Sequence, residues 1–172
     1  MASLGHIAVG MVAGRVFAGR EPTRRALAGG MLFFSALSLS PDLDVIGFWL
    51  RVAYEDEWGH RGASHSIVFG LLAAAVIAAI ARLMKLPPLK TFAVGAVVLV
   101  SHGLLDALTD GGLGCALLWP FSHERFFAPV TPIPVAPIGA AMVSGRGLYV
   151  LLVELVMFSP LFIYATFPRR RR

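Results

Sequence analysis

The chain has 172 residues, of which 57% are hydrophobic and only 15% are charged. A composition this apolar excludes a soluble globular domain, and the length suits a single domain. The net charge of +5 is carried by short clusters without interleaved aromatic residues, so no nucleic-acid partner is expected. The sequence therefore predicts one integral membrane domain.

Five apolar segments are candidate membrane helices, because a helix needs roughly 20 residues to cross the hydrocarbon core. In chain order they cover residues 4–18, 26–40, 66–81, 91–108 and 148–167. The first contains Arg15 and either spans the membrane or lies against the bundle as an amphipathic helix. The second is short and is interrupted by Pro41. We expect an all-α, polytopic transmembrane helix bundle of four to five spans, with a Pro-rich outer loop at residues 129–137.

Basic residues are concentrated in three clusters, and most acidic residues lie in the connections between them. The clusters are Arg20, Arg24 and Arg25; Arg82, Lys85 and Lys90; and residues 169–172. By the positive-inside rule these clusters face the cytoplasm. We therefore expect a cytoplasmic C-terminus, with the connections 51–64 and 109–147 outside and membrane lipid around the bundle.

Polar residues inside the apolar segments are the main indication of function. His102 and Asp106 lie four residues apart, which places both on one face of a helix. Ionisable side chains at membrane depth are costly and are normally paired, metal-bound or exposed to a wet cavity. Asp110 extends the same face, where it either orients a ligating imidazole or caps the turn that follows.

Two further motifs flank the apolar segments. Asp42-Leu43-Asp44 follows Pro41, so its carboxylates are either metal ligands or solvated acids at a helix end. His60 and His65 combine an outer-loop histidine with one at the start of the third segment. Taken alone, this pair fits polar packing as well as metal ligation.

The polar residues of the apolar segments share one predicted depth. At ~1.5 Å per helical residue, they lie roughly 18 to 25 Å from the nearest basic cluster, near the outer boundary of a core ~30 Å thick. These residues are His6, Asp42, His65, His102 and Asp106. Since they come from segments that run in opposite directions, we predict a His/Asp cluster at the outer face of the membrane.

A mixed set of histidines and aspartates, without a thiolate, favours a hard-to-borderline divalent cation. One or two zinc ions are expected, and manganese is the alternative. Such ions activate water and clamp an ester phosphate. Arg61 and Arg125 either balance a phosphate or anchor at lipid headgroups. Asp44 and Asp110 are the alternatives for the general base. Glu154, inside the last apolar segment, is expected to pair with Arg15 or Arg146 or to complete a polar cavity.

Three motifs, at residues 40–44, 60–66 and 101–109, resemble those of the YdjM family of bacterial inner-membrane metal-dependent hydrolases. The similarity extends from His6 to about Pro134, and Ser64 replaces the Thr of the family's usual second motif. The resemblance implies an inner-membrane location and the following metal ligands: His6, Asp42, Asp44, His60, His65, His102 and Asp106.

These observations predict a membrane metallohydrolase that acts as a phosphoesterase on a lipid or lipid-linked substrate. The residues expected to carry catalysis are Asp44, Asp110, Arg61 and Arg125. Two alternatives stay open, namely a non-catalytic membrane protein with a structural metal site and a divalent-cation transporter. A transporter would need polar residues in the cytoplasmic half as well, where residues 66–81 and 91–100 offer almost none.

Overall fold

The computed structural model describes residues 3–167, and these residues confirm the all-α prediction. They form α1 (Ser3–Ala18), α2 (Arg24–Leu39), α3 (Ile67–Leu83), α4 (Pro88–Ala107) and α5 (Gly145–Thr166). Shorter 3₁₀ segments cover Ser40–Phe48, Ala63–His65 and Gly139–Val143. The predicted basic cluster at residues 169–172 lies outside the described residues.

Three helical stretches of the described chain are long and apolar enough to cross a membrane, namely Arg24–Phe48, Pro88–Ala107 and Gly145–Thr166. The other two helices, α1 and α3, are apolar but have only 16 and 17 residues. A count of four to five spans fits these lengths. Since α1 packs against α2, α4 and α5, it lies among the other helices and is not a peripheral amphipathic helix.

The helix boundaries follow from local capping residues. Thr23, Ser66 and Ser144 each accept the backbone N–H three residues ahead, which satisfies a donor that the first turn leaves free. Helix α4 begins at Pro88, whose missing N–H is not needed in a first turn. The Ser66 cap starts α3 directly after His65 and so places that histidine at the mouth of the helix.

Close packing of α1 on α2 depends on two glycines. A Cβ on Gly10 would overlap the backbone at Ser35, and one on Gly14 would overlap the backbone at Gly30. Small residues four apart let two membrane helices approach to backbone contact. This approach brings the N-terminal half of α1, which carries His6, to the same end of the bundle as the last turn of α2.

Two buried ionisable side chains join α1 to α5. The Glu154 carboxylate of α5 accepts the N–H groups of Leu4 (2.6 Å) and Gly5 (3.3 Å) at the start of α1. Arg15 of α1 donates to the carbonyls of Ala165 and Phe167, both at 2.8 Å, at the end of α5. The expected pairing of Glu154 with a cation is therefore replaced by reciprocal capping, because helix ends expose unsatisfied backbone groups.

The long connections fold over one end of the bundle. The segment around Cys115 pairs with Phe126 through two backbone hydrogen bonds, and Ala116 N–H donates to the Arg61 carbonyl. In the Pro-rich stretch, Ile133 is buried and its backbone bonds the start of the same loop. These contacts cover the end of the bundle at which α2 and α4 finish and α3 begins.

Candidate metal centre

Four ionisable side chains from three parts of the chain converge beneath the long connections. Each offers one ligand atom, and all four atoms lie within 4.8 Å of one another. They belong to Asp42 of the 3₁₀ segment after α2, His65 before α3, and His102 and Asp106 of α4. All four side chains are buried, and Asp42 is the most exposed of them at 7%. We call these four residues the His/Asp cluster.

The distances within the cluster suit a single metal ion. The two Nε2 atoms of His65 and His102 are 3.0 Å apart, and each lies 3.5 Å from Asp42 Oδ1. Asp106 Oδ2 is 3.7 Å from His65 Nε2. Ligands about 2.0–2.1 Å from a tetrahedral zinc ion are separated by about 3.3 Å. The donor atoms are therefore already spaced as a divalent cation requires.

Asp42 provides the clearest indication that a cation belongs here. Both of its carboxylate oxygens are buried, and neither has a hydrogen-bond partner among residues 3–167. A buried carboxylate without hydrogen bonds is strongly unfavourable unless a positive charge compensates it. A metal ion between Asp42 and the two imidazoles would supply that charge.

Hydrogen bonds on the far side of each ring direct the imidazole lone pairs into the cluster. His102 Nδ1 lies 2.6 Å from the Ser38 carbonyl, so it must carry the proton and leave Nε2 as the acceptor. This carbonyl is available because Pro41 has no N–H to give it in the 3₁₀ register. His65 Nδ1 lies 3.0 Å from Ser64 Oγ, whose hydroxyl donates to Asp44 Oδ2, so Nδ1 carries the proton here too; Asp44 Oδ2 itself is 3.2 Å from Nδ1.

Asp44 differs from Asp42 in that its oxygens are well supplied with donors. It accepts hydrogen bonds from Ser64 Oγ (2.7 Å), from the Arg61 backbone N–H (3.1 Å) and from His60 Nδ1 (2.7 Å). Asp44, His60 and His65 also form a second group that could hold an ion. Their hydrogen bonds equally suit another role, in which Asp44 and His60 orient His65 without holding an ion themselves.

The charge on His65 in the metal-free protein also indicates that the cluster favours a positive charge. Burial of the ring favours its neutral form, but Asp42, Asp44 and Asp106 outweigh burial and raise the pKa of His65 to about 9. The metal-free cluster thus holds a proton, and with it a positive charge, beside the carboxylates. A divalent cation would displace that proton, since only the deprotonated nitrogen can ligate.

Two further predicted residues contact the cluster from outside. His6 stacks on His102, with ring centroids 3.8 Å apart, and its Nε2 lies 3.1 Å from Asp106 Oδ1. Arg61 is 1% exposed, and its Nε lies 3.1 Å from Asp106 Oδ2. In this geometry both residues hold Asp106 in place beside the other three residues of the cluster.

The other two predicted residues are not brought to the cluster. Asp110 accepts the Val135 N–H at 2.7 Å and fastens the Pro-rich loop. Arg125 donates to the carbonyls of Tyr54, Asp56 and His60, which ties the two long connections together. Both side chains stabilise the cover of the site from a distance.

Sequence reasoning missed several supporting groups. The Ser38 carbonyl has no side-chain signal, and only the following Pro41 hints that it is free. Gly103 lets α4 approach the loop, since a Cβ there would overlap the His65 carbonyl. The position of Gly103 next to His102 in the sequence could have indicated a close approach of the backbone at this point. The role of Glu154 in capping α1 could not be read from spacing, because the two residues it bonds are 149 and 150 positions away.

Comparison with known proteins agrees with this architecture. The chain is 36% identical over 153 residues to the inner membrane protein YbcI of Escherichia coli (strain K12), covering 88% of this chain and 86% of that protein. No solved structure matches the chain. The family model described as YdjM inner membrane protein matches residues 1–170. With its apolar helices, the chain is thus a multi-pass inner-membrane protein, and it belongs to the YdjM family.

Proposed function

We propose that this protein is a membrane-embedded, metal-dependent hydrolase that cleaves an ester bond in a lipid or lipid-linked substrate. The observation that carries the proposal is the convergence of two imidazole nitrogens and two carboxylate oxygens within 4.8 Å. Nothing in the described part of the chain donates to the buried oxygens of Asp42, which favours a bound cation over simple polar packing. An ion-binding cluster in an inner-membrane protein suits chemistry on a substrate that is itself in the membrane.

Asp42, His65, His102 and Asp106 would hold the metal, which fits either zinc or manganese by the chemistry of its donors. When bound, such an ion supplies activated water and polarises the ester oxygen. The protein's own groups orient the site, since the Ser38 carbonyl and Asp44 fix the two imidazoles. Hydrolysis adds water across the ester bond and releases an alcohol and an acid.

The surroundings of the cluster support a lipid substrate. Trp49 is 86% exposed and Trp58 is 57% exposed, and both lie on the connection that covers the cluster. Tryptophan side chains favour the headgroup region, where an apolar ring and a polar edge are both satisfied. A headgroup at this depth would meet the cluster without leaving the membrane.

Basic residues at the end of the bundle opposite the cluster support one orientation of the protein in the membrane. Arg82, Lys85 and Lys90 lie around the turn between α3 and α4, far along both helices from His65 and His102. The positive-inside rule assigns that turn to the cytoplasm. The C-terminus would then be cytoplasmic and the cluster extracytoplasmic.

A metal and turnover assay tests the proposal. Protein purified in nanodiscs is analysed for bound metal, loaded with Zn²⁺ or Mn²⁺, and offered a panel of phospholipids and lipid-linked phosphates. We expect about one or two ions per chain and metal-dependent release of product, detected by mass spectrometry. His102→Ala and Asp106→Asn should lose both bound metal and turnover.

His123→Ala is the matched control, because His123 is exposed and does not belong to the cluster. It should retain bound metal and turnover at the wild-type level. The proposal fails if wild-type protein binds no metal, or if the two cluster variants keep the activity of the control.

A second function is favoured by the depth of the cluster. Each of the four side chains is at most 7% exposed, which is typical of a closed structural metal site that pins surrounding loops. In that case metal would raise the unfolding temperature while no ester in the panel is hydrolysed. Turnover that disappears on chelation and returns with metal would decide for the hydrolase.

A further inference from the structure

Arg61 is a buried cation beside the His/Asp cluster whose hydrogen-bonding capacity is only partly used. Its side chain is 1% exposed, and Nη1 donates to the Gly111 carbonyl at 2.8 Å. Nε lies 3.1 Å from Asp106 Oδ2. Nε and Nη2 are both buried, and neither has a hydrogen-bond partner in the part of the chain that the structure describes.

The shape of the guanidinium group determines where Nη2 points. Its N–H groups form a planar fork, in which Nε–H and one N–H of Nη2 leave from the same edge. Nε lies 3.1 Å from Asp106 Oδ2 without forming a hydrogen bond to it, so both donors of this edge are available in the described part of the chain. Asp106 forms no bidentate pair with this edge within residues 3–167, and its other oxygen lies 3.1 Å from His6 Nε2.

The backbone conformation at residue 61 supports a specific role for the Arg61 side chain. Its φ of 64° lies in the left-handed region, where glycine or asparagine is favoured over other residues. The backbone is held there by its N–H to Asp44 Oδ2 (3.1 Å) and by its carbonyl, which accepts from Ala116. Strained backbone of this kind is concentrated at binding and catalytic sites.

We propose that the Nε–Nη2 edge of Arg61 binds a non-bridging oxygen of a tetrahedral phosphate group, so that the substrate is a phosphoester and not a carboxylic ester. A buried guanidinium with a free donor matches a charged phosphate oxygen, whereas a neutral carboxylic ester offers only weak acceptors. This inference rests on the proposed function, because it takes the cluster to be the place where substrate binds.

Binding of phosphate should depend on the cation as well as on Arg61. Without metal, Asp42 and Asp106 repel an anion that approaches Nη2. With a divalent ion bound to them, that repulsion is removed and phosphate affinity increases. Chelation of the metal should therefore weaken phosphate binding by at least about tenfold, which is a readout independent of turnover.

Calorimetry on Mn²⁺-loaded protein in a phosphate-free maltoside detergent tests the inference. The ligands are inorganic phosphate, dihexanoyl phosphatidic acid and dihexanoyl glycerol, which lacks the phosphate. We expect the first two to bind and to compete with each other, and the third not to compete with phosphate. Tighter binding of the phosphatidic acid would identify a lipid headgroup as the source, and equal binding would identify free phosphate.

Arg61→Lys keeps the positive charge but loses the planar fork, so phosphate affinity should decrease at least about tenfold at Mn²⁺ concentrations that saturate both the variant and the wild type. Arg146→Lys is the matched control, because Arg146 is exposed and rests on Tyr149. If the Arg61 variant does not fold, guanidinium ¹⁵N resonances of the wild type replace it. Addition of phosphate should then shift a buried arginine signal.

The outcomes separate this inference from the proposed function. Equal phosphate affinity in the wild type and Arg61→Lys, or no shifted arginine signal, overturns the inference even if esters are hydrolysed. Phosphate binding that requires Arg61, without hydrolysis of any ester, supports the inference and leaves the hydrolase proposal without its activity.

Discussion

Replacing Asp42 by asparagine distinguishes a metal ligand from a structural carboxylate. Neither Asp42 oxygen accepts a hydrogen bond from the described residues, so the substitution removes none. In the metal-free protein, Asp42, Asp44 and Asp106 face the positive Arg61 and a protonated His65, so these three carboxylates carry one charge more than the two cations. We expect the metal-free Asp42→Asn variant to unfold at the wild-type temperature or above it.

The metal-bound state should respond in the opposite direction. Structural zinc sites contribute roughly 10–16 kcal/mol through four ligands, or about 2.5–4 kcal/mol for each ligand. Loss of the Asp42 carboxylate should therefore weaken metal affinity by about 100- to 1,000-fold. Competition with a chromogenic chelator measures this affinity, and thermal unfolding in detergent with and without metal measures the stabilisation.

Asp44→Asn is the matched control. Asp44 accepts three hydrogen bonds, and hydrogen bonds to a charged group contribute about 1.5–3 kcal/mol each. This variant should unfold at a lower temperature without metal, while its metal affinity decreases only about 10- to 100-fold, as expected for a group that orients a ligand. A metal-free Asp42→Asn that is destabilised, and that keeps the full metal-induced increase in unfolding temperature, would refute the assignment of Asp42 as a ligand.

Three further predictions concern the supporting structure. Gly14→Ala should lower the unfolding temperature, because the added Cβ meets the α2 backbone. Gly29→Ala places its Cβ in open space and should raise the unfolding temperature slightly. Equal shifts in the two variants would contradict the close packing of α1 on α2. Glu154→Ala should destabilise the protein by about 1–2 kcal/mol through loss of the α1 cap. Glu154→Gln keeps an acceptor oxygen and should lose less stability. A Glu154→Gln variant that unfolds at a lower temperature than Glu154→Ala would reject the capping role. Burial raises the pKa of the Cys115 thiol to about 12, so iodoacetamide at pH 8 should label it only after unfolding. Because the unfolded thiol ionises at lower pH than the native one, Cys115 should make stability decrease as the pH rises above about 9, and Cys115→Ala should reduce that decrease.

Much of the fold could be derived from the sequence, because the bilayer limits what an apolar chain can do. Every backbone polar group must be satisfied within the membrane, so long apolar segments are helical. Alternation of basic and acidic connections then predicts which residues share an end of the bundle. For this reason His6, Asp42, His65, His102 and Asp106 could be assigned to one layer before any contact was known.

The roles within that layer were decided only by tertiary structure. Asp42 and Asp44 are two residues apart and chemically identical, yet Asp44 receives three donors and Asp42 receives none from the described chain. That difference arises because the loop with His60, Arg61 and Ser64 folds back on one carboxylate and not on the other. Sequence spacing contains no information about such long-range partners.

The arginines of the long connections show the same contrast between what the sequence determines and what the tertiary structure decides. The sequence alone determined that this is an all-α membrane protein with costly polar groups near one face, since hydropathy and charge act locally along each helix. It could not separate Arg61 from Arg125, because both are arginines of the long connections between apolar segments. Tertiary packing directs Arg61 inward to Asp106 and uses Arg125 to tie the loops together, since burial and the choice of hydrogen-bond partner depend on residues that are distant in the chain.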